Sequence, residues 1–174
     1  MNGMIWGNVV WEEADFMSGI ILVGVDNTNT ALTAAEKAAS LATALKTELH
    51  VVSAYGTAEA GVPRVQPGAN PDQVAAVMEA HRETIAQLRD EAQDAADDVV
   101  DTLRSKFVEL NAQARAIEGA PGLAIIRESR DLDAEMVVVG NRNVQGAGRI
   151  LGSIATTIAR EIDCDLLIVN TRKK

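Results

Sequence analysis

Short apolar runs alternate along the chain with longer segments in which apolar residues recur at helical spacing. The short runs predict strands at Ile20–Val25, Leu49–Tyr55, Ala112–Ile117, Glu135–Val139 and Asp165–Val169. The longer segments predict helices at Ala31–Leu45, Pro71–Phe107, Gly119–Arg130 and Ile154–Ile162. Alternation of strand and helix favours an α/β domain, in which an open parallel sheet of five strands carries helices on both faces.

The predicted helix at Pro71–Phe107 differs from the others in its length, about 35 residues. Pro71 suits the first turn of a helix, because N–H groups there have no partner within the helix and proline has no N–H. The length leaves room for a break or a kink, and the acidic stretch DEAQDAADD predicts a solvated face.

Composition narrows both what fills the interior and what the surface binds. Apolar residues make up 47% of the 174 residues and aromatic residues only 3%, so aliphatic side chains must fill the core. The net charge of −9 opposes nonspecific binding to nucleic acid or to an anionic membrane, and we expect neither as a partner. No apolar stretch approaches the ~20 residues of a membrane span, and the N-terminus lacks a signal-peptide pattern, so we expect a cytoplasmic protein.

Residues that usually carry catalysis are few and scattered. His50 lies in a predicted strand and His81 in the long predicted helix, and neither has metal-ligand spacing around it. Cys164 is the single cysteine and lies beside an apolar strand, which favours a buried, inert thiol. The lysine of a P-loop is also missing. The sequence therefore predicts no catalytic residue, and at most slow hydrolysis of a bound nucleotide.

A glycine-rich loop joins the fourth predicted strand to the last predicted helix. The strand stops at Gly140, a loop rich in Gly and Asn follows, and Gly152 and Ser153 precede the helical pattern. Glycine lets backbone N–H groups approach an anion, and a helix N-terminus adds unpaired donors and a positive dipole end. Ser153 can add a hydroxyl and a helix cap. The pattern predicts a phosphate-binding loop.

This loop resembles the nucleotide motif of universal stress proteins, in which Gly, two residues, Gly, nine residues and Gly precede Ser or Thr. Here Asn143 stands where that motif has its second glycine, and eight residues separate it from Gly152. The segments IILVGVDNTNTALTAAEKAASLA, TELHVVSAY and IDCDLLIVNT resemble the family's first strand with its loop and helix, its second strand and its last strand. The resemblance covers about residues 18–171.

The resemblance implies a Rossmann-like fold of the adenine nucleotide alpha hydrolase type, with strand order 3-2-1-4-5. That order reverses between the first and fourth strands, where such sheets bind ligands. The implied ligand is an adenine nucleotide, ATP accompanied by Mg²⁺ rather than cyclic AMP, bound by a stress-response regulatory or sensor module. The implied binding residues are Asp26, Ala54, Val139, Gly140, Asn141, Arg142, Asn143, Gly152 and Ser153.

Several of these roles have alternatives. By the resemblance Asp26 contacts ribose or adenine, and backbone groups at Ala54 and Val139 read the adenine; Asp26 could instead cap the first helix, a role we expect of Thr28. Arg142 either pairs with phosphate or faces solvent. The departures in the loop favour a rival function, a dimeric interaction protein that binds no nucleotide, and a binder of cyclic nucleotides is a further alternative.

The fifth strand is an edge in the implied order. Asp165–Val169 has no proline and no central charge to protect that edge, which predicts a homodimer through pairing with a second copy, as is common in the family. Residues 1–17 form a predicted extension of unknown role, and residues 18–174 the universal stress protein domain. The extension could cover the edge instead, and Met17 would also serve as a start codon.

Overall fold

The computed structural model of the protein describes residues 19–26, 28–56, 61–141 and 152–171. The predicted extension, residues 1–17, lies outside the described residues. The strands are β1 (Ile20–Val25), β2 (Glu48–Tyr55), β3 (Ala112–Glu118), β4 (Ala134–Gly140) and β5 (Asp165–Val169). The helices are α1 (Asn29–Leu45), α2 (Pro71–Lys106), α3 (Pro121–Asp131) and α4 (Ser153–Glu161).

The strands form one parallel sheet in the order β3-β2-β1-β4-β5. The central strand β1 pairs with β2 on one side and with β4 on the other. This architecture and this strand order confirm the fold that the sequence predicts. Because the order reverses between β1 and β4, the carboxyl ends of these two strands open a crevice at that edge of the sheet.

Each face of the sheet carries its own apolar core. One core joins the sheet to α1 and α2, and the other joins it to α3 and α4. The side chains of α1 that pack on the sheet are small and fully buried: Ala34, Ala35, Ala38, Ala39 and Ala42. Aliphatic side chains fill both cores, as the composition predicts.

Three helices begin away from their predicted first residues. Helix α4 begins one residue early, at Ser153, and local backbone chemistry explains the two-residue shifts of α1 and α3. Helix α1 begins at Asn29 because the hydroxyl of Thr28 accepts a hydrogen bond from the N–H of Ala31 at 3.3 Å, which makes Thr28 the N-cap. Helix α3 begins at Pro121, two residues after its predicted start, because Gly119 has a φ of +121° that no helix accommodates.

The long helix α2 begins at Pro71, as predicted. It runs without interruption for 36 residues, so the break that its length allows does not occur. A reciprocal pair of hydrogen bonds between Asn70 and Gln73, each 2.9 Å long, caps its start. No residue of α2 before Ala92 is buried, and the acidic side chains of DEAQDAADD are exposed. Among the described helices, none has the combined length and apolar character that crossing a membrane requires.

Candidate functional site

A pocket of about 410 Å³ lies at the carboxyl ends of β1, β2 and β4. The first turns of α1 and α4 flank it, and α3 adds an apolar wall. Its volume falls in the usual range for small-molecule sites, and it occupies the switch point of the sheet. The lining residues are Gly24, Val25, Asp26, Thr30, Ala31, Val52, Ser53, Ala54, Pro121, Ile125, Val139, Gly140, Gly152, Ser153, Ile154 and Ala155.

Asp26 follows β1 directly, lines the pocket and is exposed. Its Oδ1 accepts hydrogen bonds from the N–H of Thr28, at 3.1 Å, and from the hydroxyl of Thr28. Thr28 is the N-cap of α1, which confirms the expectation that Thr28 caps this helix. The carboxylate of Asp26 is therefore oriented by Thr28.

Ala54 and Val139 both lie where the sequence predicts, beside the ends of their strands and on the pocket wall. Ala54 is half-buried near the end of β2, and Val139 is 4% exposed near the end of β4. Together with Val52 they make this part of the pocket wall apolar.

Gly140 occupies a narrow passage at the end of β4. A Cβ atom at this position would lie 3.3 Å from Cγ2 of Thr171 and 3.4 Å from the main-chain oxygen of Thr30. The space is tight for any larger residue, because α1 and the segment after β5 pass on either side of Gly140. This structural role is compatible with its predicted place in the pocket.

Asn141 is held by its backbone and does not line the pocket. Its N–H donates to the main-chain oxygen of Val169 at 2.8 Å, and its own main-chain oxygen accepts from the hydroxyl of Thr171 at 3.0 Å. Its side-chain Oδ1 is buried, with no hydrogen-bond partner in the part of the chain that the structure describes. Arg142 and Asn143 lie outside the described residues, so the roles suggested for them stay predictions.

Gly152 and Ser153 lie at the start of α4 and line the pocket. Gly152 rather than Ser153 occupies the N-cap position, which corrects the suggestion that Ser153 caps the helix. The N-cap position of α4 therefore supplies no side-chain hydrogen bond to the first turn. The free backbone N–H groups of a helix start are donors for an anion, and the helix dipole adds positive potential there.

Several residues that line the pocket are not predicted from the sequence. Ser53, 6% exposed in β2, lines the pocket between Val52 and Ala54. Ile125 of α3 leans over β1 so closely that a Cβ on Gly24 would lie 2.6 Å from its Cδ1. Ser53 ends an apolar run, which is a usable signal, whereas the approach of Ile125 to Gly24 depends on tertiary packing that no local pattern reveals.

The histidine of β2 and the single cysteine do not line this pocket. His50 is buried inside β2, with its Nε2 at 3.5 Å from Oε1 of Glu48. Cys164 is half-buried at the start of β5, and burial together with the carboxylate of Asp165 raises the pKa of its thiol. A raised pKa lowers the thiolate fraction, as expected of an unreactive cysteine. No cluster of three metal-ligating side chains occurs among the described residues.

Comparison with known proteins identifies the family. A family model described as the universal stress protein family matches residues 17–170. The chain belongs to the universal stress protein family. The match covers all five strands and all four helices, and it confirms the resemblance drawn from the glycine-rich loop and the strand segments.

Known universal stress proteins share parts of this sequence and its fold. The universal stress protein Rv1636 of Mycobacterium tuberculosis is 39% identical over 62 residues, which span 35% of this chain and 42% of that protein. A universal stress protein solved in complex with cAMP is 24% identical, covers 89% of this chain and 98% of its own, and superposes with a TM-score of 0.60. The universal stress protein of Archaeoglobus fulgidus in complex with dAMP is 16% identical, with coverages of 87% and 98% and a TM-score of 0.58.

Proposed function

We propose that this universal stress protein binds an adenine nucleotide, ATP, in the pocket at the carboxyl ends of β1, β2 and β4, and acts as a regulatory or sensor module. The observation that carries the proposal is the start of α4, which has no capping side chain among the described residues and lines the pocket through Gly152 and Ser153. An anion is the ligand that such a helix start favours.

The opposite side of the pocket suits the nucleoside. Val52, Ala54 and Val139 offer an apolar surface for adenine, and Ile125 adds an apolar wall. Asp26, oriented by Thr28, lies beside this surface, where a carboxylate can accept hydrogen bonds from ribose hydroxyls. A phosphate subsite, an apolar base subsite and a carboxylate for ribose therefore fit one nucleotide.

The residues present fit a Mg²⁺ ion only through the nucleotide. Asp26 is the one carboxylate among the described lining residues, and Mg²⁺ in nucleotide sites commonly uses one or two carboxylates together with phosphate oxygens and water. The ion would neutralise phosphate charge in a protein whose net charge is −9.

Cyclic AMP is the second candidate ligand. A relative with this fold was solved in complex with cAMP and another in complex with dAMP, so the fold accommodates a single phosphate group in those proteins. The same apolar surface and helix start would serve cyclic AMP in this chain. We favour ATP because the glycine-rich loop resembles the nucleotide motif of the family, which implies this ligand.

We further propose that two copies pair through β5. The sheet order makes β5 an edge strand, and its residues Leu166–Val169 are half-buried by the two cores behind them. Pairing with the same strand of a second copy would satisfy the outer row of backbone groups in a two-fold interface. The cytoplasmic location and the lack of nucleic-acid and membrane partners stay predictions from sequence.

Isothermal titration calorimetry tests the choice of ligand. We expect ATP to bind with micromolar affinity, about 8 kcal/mol, more tightly than AMP or cyclic AMP, and GTP to serve as the control for base selectivity. Tighter binding of cyclic AMP than of ATP would reverse the order of the two candidates. Absence of heat and of any thermal shift at about 1 mM of every adenine nucleotide would favour an interaction protein that binds no nucleotide.

A further inference from the structure

Strand β3 forms one edge of the described sheet, and β5 forms the other. The backbone groups of successive residues in a strand point alternately to its two sides. Asn111, just before β3, and Gly119, just after it, both bond through their backbone to β2. The even-numbered residues between them therefore direct their backbone groups away from β2. A further strand would pair with such an outward row.

The side chain of Gln93 in α2 bonds to the middle of this outward row. Its Oε1 accepts a hydrogen bond from the N–H of Ala116 at 2.8 Å, and its Nε2 donates to the main-chain oxygen of Ala114 at 3.3 Å. A residue of a parallel partner strand bonds in the same way, because its N–H and its C=O reach two residues that are two positions apart. The amide of Gln93 therefore takes the place of one residue of a partner strand.

Asp97 holds this amide in the required orientation. Nε2 of Gln93 also donates to Oδ2 of Asp97 at 3.0 Å, one turn further along α2. A carboxylate only accepts hydrogen bonds, so Asp97 fixes which end of the amide is the donor. The two hydrogens of Nε2 serve Asp97 and the main-chain oxygen of Ala114.

Two arginine side chains extend this cover to the ends of β3. Arg104 of α2 donates to the main-chain oxygen of Ala112 at 2.7 Å. Arg127 of α3 donates to the main-chain oxygen of Glu118. Each outward-facing residue of β3 therefore has a backbone group that is bonded to a side chain. A partner strand would have to displace these bonds before it could pair.

We propose that Gln93, held by Asp97, closes the β3 edge against pairing with another strand and so confines the edge association of this protein to β5. A chain with two open edges can add further copies at both ends, whereas a chain with one open edge stops at a pair. The closed edge does not depend on nucleotide binding.

The variant Gln93→Ala tests the proposal, because it removes the amide while alanine keeps a high helix propensity. Gln87→Ala is the matched control. Gln87 lies on the same helix, and its Nε2 donates to Oε1 of Glu91 at 3.0 Å, which is again a pair between glutamine and an acid four residues apart. In size-exclusion chromatography with light scattering, we expect Gln93→Ala to form species larger than the wild type, in a share that rises with protein concentration. We expect Gln87→Ala to match the wild type.

Hydrogen exchange followed by NMR separates an opened edge from a general loss of stability. We expect the amide of Ala116 to exchange about tenfold faster in Gln93→Ala than in the wild type. The amide of Ile117 faces β2 and should keep its rate. Equal acceleration at both amides would overturn the proposal, and so would a size equal to that of the wild type.

A second substitution tests which surface the larger species use. Ala116→Pro removes an outward N–H and no bond to β2, which an edge strand tolerates. We expect Gln93→Ala combined with Ala116→Pro to return to the size of the wild type, and persistence of the larger species would contradict pairing through β3. If this double variant does not fold, the exchange rates at Ala116 and Ile117 decide. A monomeric wild type would remove only the pairing through β5, because Gln93→Ala is compared with the wild type whatever its size.

Discussion

Gly152 has a backbone conformation that any residue adopts, with φ −58° and ψ 154°. What the glycine provides here is therefore the space that a side chain would occupy. In the proposed complex a branched side chain here would enter the volume between the first turn of α4 and the phosphates. We predict that Gly152→Val reduces ATP affinity at least about 100-fold while the protein stays folded, measured by calorimetric titration and circular dichroism.

The matched control for this substitution is Ala120→Val. Ala120 is the N-cap of α3, has similar backbone angles of −61° and 131°, is exposed and does not line the pocket. It adds a branched side chain to the same kind of helix start, and we expect it to leave ATP affinity unchanged. Equal effects of the two substitutions, or none from either, would contradict the assignment of phosphate to α4.

The close contact between Gly24 and Ile125 leads to a second prediction at the residue scale. A Cβ on Gly24 would lie 2.6 Å from Cδ1 of Ile125, so Gly24→Ala should lower the free energy of unfolding by about 1–3 kcal/mol through overpacking. Ile125→Val removes the atom that clashes. In urea denaturation we therefore expect the double variant to be more stable than the sum of the two single effects allows, and simple additivity would show that the contact is not the cause.

At this scale the sequence predicts pocket residues at strand and helix ends better than those that α3 contributes. Asp26, Gly140 and Gly152 stand next to strand or helix ends, where local patterns are informative, and all three line the pocket. Pro121 and Ile125 also line the pocket, but they belong to α3, and no local pattern indicates that α3 packs beside the ends of β1 and β2. Asn141 has the predicted position but lies outside the pocket lining, because hydrogen bonds to the C-terminal segment hold it there.

Helix α2 is the element whose two halves differ most. Leu103 is fully buried between the helix and the sheet, whereas Leu88 lies on the same helix in the half that has no buried residue. We predict that Leu103→Ala lowers the free energy of unfolding by about 2–5 kcal/mol and Leu88→Ala by less than about 1 kcal/mol, measured by urea denaturation. Similar losses would mean that the first half of α2 is packed as firmly as the second.

Element boundaries follow from the sequence where capping chemistry is local. Pro71 marks the start of α2 correctly because Asn70 and Gln73 complete a capping box around it. The start of α3 is missed because Gly119 adopts a positive φ in the turn after β3, and this backbone conformation excludes it from the helix. Buried strands with continuous apolar runs are predicted to within a few residues, since their pattern does not depend on what packs against them.

At the scale of the whole molecule, the edge position of β5 in the described sheet predicts association. We expect light scattering at micromolar concentration to give a dimer both for the full chain and for a chain shortened to begin at Met17. A dimer of the full chain only would assign the interface to the segment with Trp6 and Trp11. A monomer in both cases would remove the proposed pairing through β5.

The central claim is that an adenine nucleotide occupies the pocket at the switch point with its phosphates at the start of α4. Titration of ¹⁵N-labelled protein with ATP, followed through backbone amide chemical shifts, tests this most directly. We predict saturable shifts at micromolar ATP that are largest at Gly152, Ser153 and Ile154, with further shifts at Asp26. Saturable shifts confined to other surfaces, or none at about 1 mM ATP, would contradict the claim.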